Sequence, residues 1–235
     1  MYNMPRQSHG REMSKQMTKV ILHLCADTGS DTYPYQDDPD YEVVLVGSAI
    51  GVENFTVANW IHFHGLDKQI YGVIANPVCT EFSTARADGK ARNPDEGMFL
   101  VKECQRIIAE AKSLGGLKFW VIENPATGVL KNYLGKPQYQ YEPWWYGSPW
   151  TKRTALWGEF NIPTRKYYDW YNVPKIEGLY TRPGRQKPSL AFMHKNHKRF
   201  IREFDVFSSE DVDSDMEFRS LCSQKFAQAF YEANK

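Results

Sequence analysis

The chain has no CxxC pair, and its four cysteines (Cys25, Cys79, Cys104 and Cys222) are spaced for neither a zinc knuckle nor a disulfide framework. Free thiols are therefore expected, and with them a reducing compartment. Long apolar runs are missing too: none approaches the ~20 residues that span a bilayer. Residues 1–18 are polar and Met-rich, without the apolar stretch of a secretory signal. A soluble, cytoplasmic protein with no membrane partner is expected. Charge of one sign is also lacking, since 29 Lys and Arg stand against 28 Asp and Glu for a net +1. No global field recruits a polyanion, so any nucleic-acid surface must be local. There is no internal repeat and no low-complexity tract. What remains is 235 residues, enough to bury one good core with a small appended lobe.

Short apolar runs at 19–25, 42–46, 70–75 and 118–122 read as strands. Between the last two, residues 96–113 carry Met98, Val101, Ile107, Ile108 and Ala111 at helical spacing, ended by Gly115-Gly116. Continuous apolar strands alternating with a helix argue for an α/β fold with a mostly parallel sheet covered on both faces. Ligands in such sheets bind beyond the carboxyl ends of the strands. After about residue 137 aromatic and basic residues dominate, with twelve Lys or Arg against four Asp or Glu between Pro149 and Glu203. The cluster of Trp144, Trp145, Tyr146 and Trp150 is too dense to be core alone. Residues 205–215 are acidic and read as a solvated loop, and 218–233 read as a helix with Phe218, Leu221, Phe226, Ala229 and Phe230 along one side. The expected organisation is a flexible arm at 1–18, a catalytic core at 19–160, a basic and aromatic substrate-binding extension at 161–215, and a helix at 216–235 packing back on the core.

Two residues carry chemistry. Cys79 follows the third strand in Asn76-Pro77-Val78-Cys79-Thr80, a turn that projects the thiol outward, with polar Thr80, Glu81 and Ser83 and the cation Arg86 behind it. A nearby cation favours thiolate. Free cysteine is also among the most buried residue types, so an inert thiol is the competing reading. Glu123 ends the fourth strand in Glu123-Asn124-Pro125, where the proline holds Asn124 extended. A thiol and a carboxylate at the ends of neighbouring strands suit addition to a pyrimidine ring: sulfur attacks a ring carbon and the acid stabilises charge on the ring nitrogen.

Pro-x-Cys after one strand and Glu-Asn-Pro after the next resemble two signature motifs of the DNA cytosine-5 methyltransferases. Tyr146-Gly147-Ser148-Pro149-Trp150-Thr151-Lys152-Arg153 resembles the arginine-bearing motif that follows, and the ending around Phe218 to Phe230 is similar to the closing helix of short, phage-type members. The resemblance runs from Val20 onward and implies a Rossmann-like methyltransferase fold. It implies that Cys79 adds to C6 of cytosine, that Glu123 bonds the N3 edge, and that Arg153 holds the base carbonyl or the Cys79 loop. Substrate contacts would come from Pro77, Thr80, Ser83, Arg86, Asn124, Lys152, Arg165 and Lys166. DNA would be the partner, as a duplex with the base turned out or as a single strand. The contrasting readings are a catalytically silent DNA-binding module and an enzyme acting on a free pyrimidine nucleotide.

The family's cofactor loop would place His23, Cys25, Ala26, Asp27, Thr28, Gly29, Gly47 and Asn76 around the donor. Here the chain departs from the pattern. His23 stands at the usual acidic position, Cys25 at the phenylalanine, Asp27 at the first glycine and Gly47 at the acid that closes the second strand; Gly29 alone matches. Either S-adenosylmethionine is held by a rebuilt pocket, or 5,10-methylenetetrahydrofolate supplies the carbon as methyl or hydroxymethyl. Asn76-Pro77-Val78-Cys79 also resembles the Asn-Pro-Pro-Tyr motif of amino-group methyltransferases, but cysteine cannot stack on a base as tyrosine does. His62-x-His64 lacks a third ligand, and His194-x-x-His197 lies in a cationic run better suited to phosphate. No metal is expected.

Overall fold

The computed structural model describes residues 17–26, 28–47, 51–83, 92–200 and 215–235. The expected arm at 1–18, the acidic loop, Asp27 and Arg86 fall wholly or largely outside them. In chain order the strands are β1 (Thr18–Leu24), β2 (Tyr41–Val46), β3 (Lys68–Ala75), β4 (Phe119–Pro125), β5 (Tyr139–Tyr141) and β6 (Thr154–Glu159). The helices are α1 (Tyr33–Gln36), α2 (Val57–His64), α3 (Pro94–Ser113), α4 (Lys131–Leu134), α5 (His197–Phe200), α6 (Asp215–Ser220) and α7 (Gln224–Asn234).

The strands form one six-stranded sheet in the order β2-β1-β3-β4-β6-β5. The first four are mutually parallel, and β6 lies antiparallel between β4 and β5. This is a Rossmann-like arrangement, a doubly wound sheet with one reversed strand. The chain order reverses at β1, so the crevice beyond β1 and β3 is the topological switch point.

Both faces of the sheet are covered, which is why its strands read as continuous apolar runs. Alternation along β1 sends Val20, Leu22 and Leu24 to the face under α3, and Ile21 to the opposite face under α7. Helix α3 begins where Asn93 accepts a bond from the Glu96 amide, with Pro94 in the first turn and Asp95 and Glu96 against the positive helix end. Its buried stripe of Met98, Val101, Cys104, Ile107, Ile108 and Ala111 faces the sheet. Each large aliphatic in that stripe contributes about 1.5–3 kcal/mol by leaving water. On the other face Phe226, Ala227 and Phe230 of α7 pack on Phe119 and Tyr141. Gly72 of β3 pairs with Phe119 of β4, and a Cβ at Gly72 would lie 2.2 Å from that ring. Glycine is required there because the ring occupies the side-chain space.

The structure departs from the sequence reading in four places. Strand β4 continues through Pro125, so Glu123 lies within the sheet, paired with Leu156 of β6, and not past its end. The closing helix is broken into α6 and α7, because Ser223 turns its hydroxyl to cap the Phe226 amide and starts a new helix. The α2 helix and the β5–β6 pair carried no legible pattern. Finally, Trp144, Tyr146 and Trp150 are buried and only Trp145 is partly open, so that cluster is mainly core, joining the extension to the sheet through Trp170, Val173, Leu190 and Met193.

Candidate active site

The sheet's period of two decides which side chains meet. Glu123 shares a face with Phe119 and Val121, and His23 shares one with Ile21. Both therefore look toward the α7 side, beneath the α6–α7 junction at residues 221–223. That junction is tied to the strand ends. The Cys222 amide donates to Ser30 Oγ at 3.0 Å, and the Ser148 and Ser223 hydroxyls share a bond of 2.7 Å.

Cys79 sits in a tight turn, where its carbonyl accepts from the amides of Phe82 at 3.0 Å and Ser83 at 2.7 Å. The turn is fixed to the next strand: Asn124, fully buried, donates its amide to the Pro77 carbonyl at 3.0 Å. The Cys79 thiol is pushed up by burial first and then by the charge of Glu123, against Lys152 and Arg219, which pull it down. Glu123 is raised from its ordinary value to about 7, chiefly by burial; Lys152 lowers it, Asp31 raises it, and a hydrogen bond with Thr154 lowers it. Cys79, Glu123 and Lys152 therefore act on one another in a single electrostatic cluster. Lys152 is held there by two 2.9 Å bonds from Nζ to the Ser220 and Leu221 carbonyls at the end of α6.

The expected residues fall into distinct groups. Cys79, Glu123 and Lys152 come together. Arg153 is exposed, and its charge bears on Glu142. The cation that acts on Glu123 and Cys79 is its neighbour Lys152. Asn124 and Pro77 are buried and bonded to each other, which makes them a support of the Cys79 turn. Thr80 is exposed and Ser83 half-buried on the outer side of that turn. The Arg165 guanidinium lies 3.8 Å over the Trp145 ring, and Lys166 is exposed beside Tyr167. The expectation that cations favour the Cys79 thiolate is corrected in balance: Lys152 and Arg219 do so, but burial and Glu123 outweigh them. Sequence reasoning missed Thr154, Ser30 and Cys222 as site residues. Thr154 arrives through antiparallel pairing with Pro125, for which the sequence carries no signal.

Around the switch point the side chains satisfy one another. Buried His23 meets Thr32 Oγ1 through Nδ1 at 3.0 Å and donates from Nε2 to Asn76 Oδ1 at 3.1 Å. Asn76 Nδ2 donates to Asp31 Oδ2 at 3.2 Å. Cys25 takes a left-handed φ of 54° and turns its sulfur to Cys104, 3.7 Å away in the core. Ala26 is buried, its amide bonded to the Val46 carbonyl. Thr28 Oγ1 accepts from the Ser30 amide, and Gly29 has a φ of 68° that favours glycine. Gly47 brings no carboxylate for a ribose. The described residues of this loop do not fit an adenosyl donor in the family's manner. His64 bonds the Trp60 carbonyl and stacks on its ring, and among the described residues no His, Cys, Asp and Glu group could hold a metal ion. Among those residues no helix is long and apolar enough to cross a membrane.

Known proteins place this site in context. The chain is 28% identical over 155 residues to "Probable DNA (cytosine-5)-methyltransferase" of Frog virus 3 (isolate Goorha), covering 58% of this chain and 69% of that protein. The cytosine-5 methyltransferase resemblance stands. Among solved structures, a prophage-encoded E. coli protein described as a DNA modification methyltransferase is similar over 61% of this chain and 48% of its own, at 15% identity and a TM-score of 0.41. That likeness is too distant to carry weight, and the fold rests on the strand order above. No family model matches the chain.

Proposed function

We propose that the chain modifies C5 of cytosine in DNA through a covalent adduct of Cys79 with C6. What supports this most is a half-buried thiol and a carboxyl raised to about 7 acting on one another beside Lys152. Cytosine N3 accepts hydrogen bonds, so its partner must carry a proton. A carboxyl raised to about 7 keeps one at neutral pH. Protonating Glu123 also removes the negative charge that disfavours the Cys79 thiolate, leaving Lys152 and Arg219 to stabilise it. The two groups are thus mutually compatible in one state: neutral acid, anionic sulfur.

In that state sulfur forms a bond to C6, the C5=C6 pair shifts onto the ring, and the proton of Glu123 meets the charge at N3. C5 becomes nucleophilic. In the exchange reaction C5 takes a proton from water, and its original proton is then lost to solvent as sulfur leaves C6. The N3 proton returns to Glu123, which restores the ring, the acid and the thiolate; in the full reaction a one-carbon unit takes the place of the incoming proton. Asn124 holds the turn that aims the thiol, and Thr154 and Lys152 hold the acid. In this reading the core at 19–160 supplies the chemistry, and the extension at 161–215 faces the DNA. The base must leave the stack to reach the pocket if the substrate is duplex.

The cytosine-5 methyltransferases as a family use S-adenosylmethionine. Because the loop after β1 does not reproduce that cradle, no step is routed through the donor, and methylenetetrahydrofolate stays as the second carbon source. The same departures favour one competing reading, a DNA-binding module without catalysis. Exchange of the cytosine C5 hydrogen with tritiated water separates the two without any donor. The enzyme reading expects exchange by the chain and none by Cys79→Ser at unchanged melting temperature. No exchange, and no adduct on 5-fluorocytosine DNA with either donor, would establish the binder.

A further inference from the structure

The extension sorts its aromatic rings into two kinds. Trp144 and Trp170, where it joins the core, are buried at 9% and 8% exposure, and Trp145 is partly open. Tyr168 and Tyr171 stand 76% and 78% exposed, among the most open large rings of the described residues. Burying Trp144 and Trp170 packs the segment, while Tyr168 and Tyr171 stay largely open, Tyr168 with Arg165 against its ring.

Cations interleave with these rings. Arg165 lies between Trp145 at 3.8 Å and Tyr168 at 4.9 Å, Lys187 lies 4.1 Å over Trp144, and Lys175 lies 4.2 Å over Trp170. Residues 161–190 hold six Lys or Arg against two Asp or Glu, in a chain whose total is +1. The positive field is therefore local to the tyrosines. Cation–π contact holds the guanidinium and ammonium groups at the rings, and Lys175 also donates to the Trp170 and Val173 carbonyls. A cavity of about 190 Å³ opens beside them, lined by Trp170, Lys175, Thr181 and Gln186 among others.

The segment is also tied by hydrogen bonds to the stretch of chain that leads into the candidate active site. The amides of Lys166 and Tyr167 donate to the Trp145 carbonyl, and Thr151 bonds Pro188. Thr151 precedes Lys152, whose ammonium acts on Glu123.

We propose that this face is a stacking platform for the unpaired bases of a single nucleic-acid strand, with Tyr168 and Tyr171 as the rings and Arg165, Lys166, Lys175 and Lys187 on the phosphates. It rests on the DNA reading above and adds the form of the substrate. Duplex DNA hides its base faces and offers two open tyrosines nothing to stack on. An unpaired strand offers one π face per nucleotide for those rings to stack on.

The test is fluorescence anisotropy with the full chain, a labelled 20-mer single strand and the same sequence as a hairpin duplex, at two salt concentrations. The single strand is expected to bind the more tightly. Tyr168→Ala/Tyr171→Ala is expected to weaken single-strand binding about 10- to 100-fold and duplex binding less than 2-fold. Tyr168→Trp/Tyr171→Trp is expected to retain it, which separates stacking from loss of a hydroxyl contact. Duplex bound as tightly as single strand, or an alanine variant equal to the parent on both, overturns the platform. The same oligonucleotides are assayed for C5 hydrogen exchange. Tyrosine-dependent binding without exchange sinks the enzyme reading and leaves the platform; exchange insensitive to the tyrosines does the reverse.

Discussion

Replacing Glu123 with glutamine keeps the shape of the side chain and removes its titration. The carboxyl moves from 4.5 to about 7 in the folded chain, and at about 1.4 kcal/mol per unit its ionisation costs the fold up to about 3 kcal/mol. Below pH 4.5 the proton is present in both folded and unfolded chains, and the group contributes nothing to the difference. Between 4.5 and about 7 the unfolded chain releases its proton while the folded chain retains it, so stability falls as pH rises. Above about 7 both are ionised and the full penalty applies. Glutamine carries none of this dependence. Glu123→Gln should therefore match the parent near pH 4 and exceed it by up to about 3 kcal/mol near pH 8.5, a rise in Tm of roughly 6–12 °C for a chain of this size. Urea unfolding of both proteins at several pH values measures the difference directly, and other titrating groups cancel between them. The same variant should lose C5 exchange by about 10²–10⁴-fold, because an amide cannot give a proton to N3. A stability difference that stays constant from pH 4 to 8.5 would refute the assignment of Glu123 as a buried, neutral acid.

Lys152→Met removes the cation that lowers both Glu123 and Cys79, so the pH midpoint for alkylation of Cys79 by iodoacetamide should move upward. Asn124→Ala deletes the buried bond to the Pro77 carbonyl; unfolding should show a loss of about 1–3 kcal/mol, and C5 exchange should slow as the Cys79 turn loosens. Gly72→Ala forces a methyl group against the Phe119 ring and should cost about 1–3 kcal/mol in unfolding experiments, with part restored in Gly72→Ala/Phe119→Leu.

Much of this arrangement is legible before any coordinates. Val20 to Leu24 and Ile70 to Ala75 read as buried strands because both their faces are covered, and α3 announces itself through Asn93, Pro94 and its spaced aliphatics. Cys79 could be placed at a strand end because Pro77 and the polar residues after it stop the strand there. The parts that were not legible depend on pairings distant in sequence. Thr154 and Leu156 meet β4 through an antiparallel insertion about thirty residues later, and no local pattern encodes which strand fills that slot. Lys152 stands in place of Arg153 for a similarly distant reason: its ammonium is held by the Ser220 and Leu221 carbonyls, nearly seventy residues on. Tryptophans among lysines and arginines read as a surface, but cation–π contacts let those rings be core while the charges stay wet.

The strand that carries Glu123 explains how a carboxyl can serve as an acid here. A residue past the end of a strand would be open to water and would ionise. Because β4 runs on to Pro125 and β6 covers its edge, Glu123 is hemmed in by Thr154 of β6 and by the α6–α7 junction beyond. That junction also supplies the Ser220 and Leu221 carbonyls that hold Lys152. Lys152 cannot move fully onto the carboxylate while it bonds those two oxygens, so it tempers the shift without abolishing it. The acid strength of Glu123 is thus a balance struck between a sheet insertion and the helix pair that closes the chain. The thiol's own turn is held by Asn124 and packs through Phe82 against Ala155 and Trp157 of β6. Sulfur and acid thus share one support, and a double-mutant cycle on Cys79 and Glu123 measures their coupling.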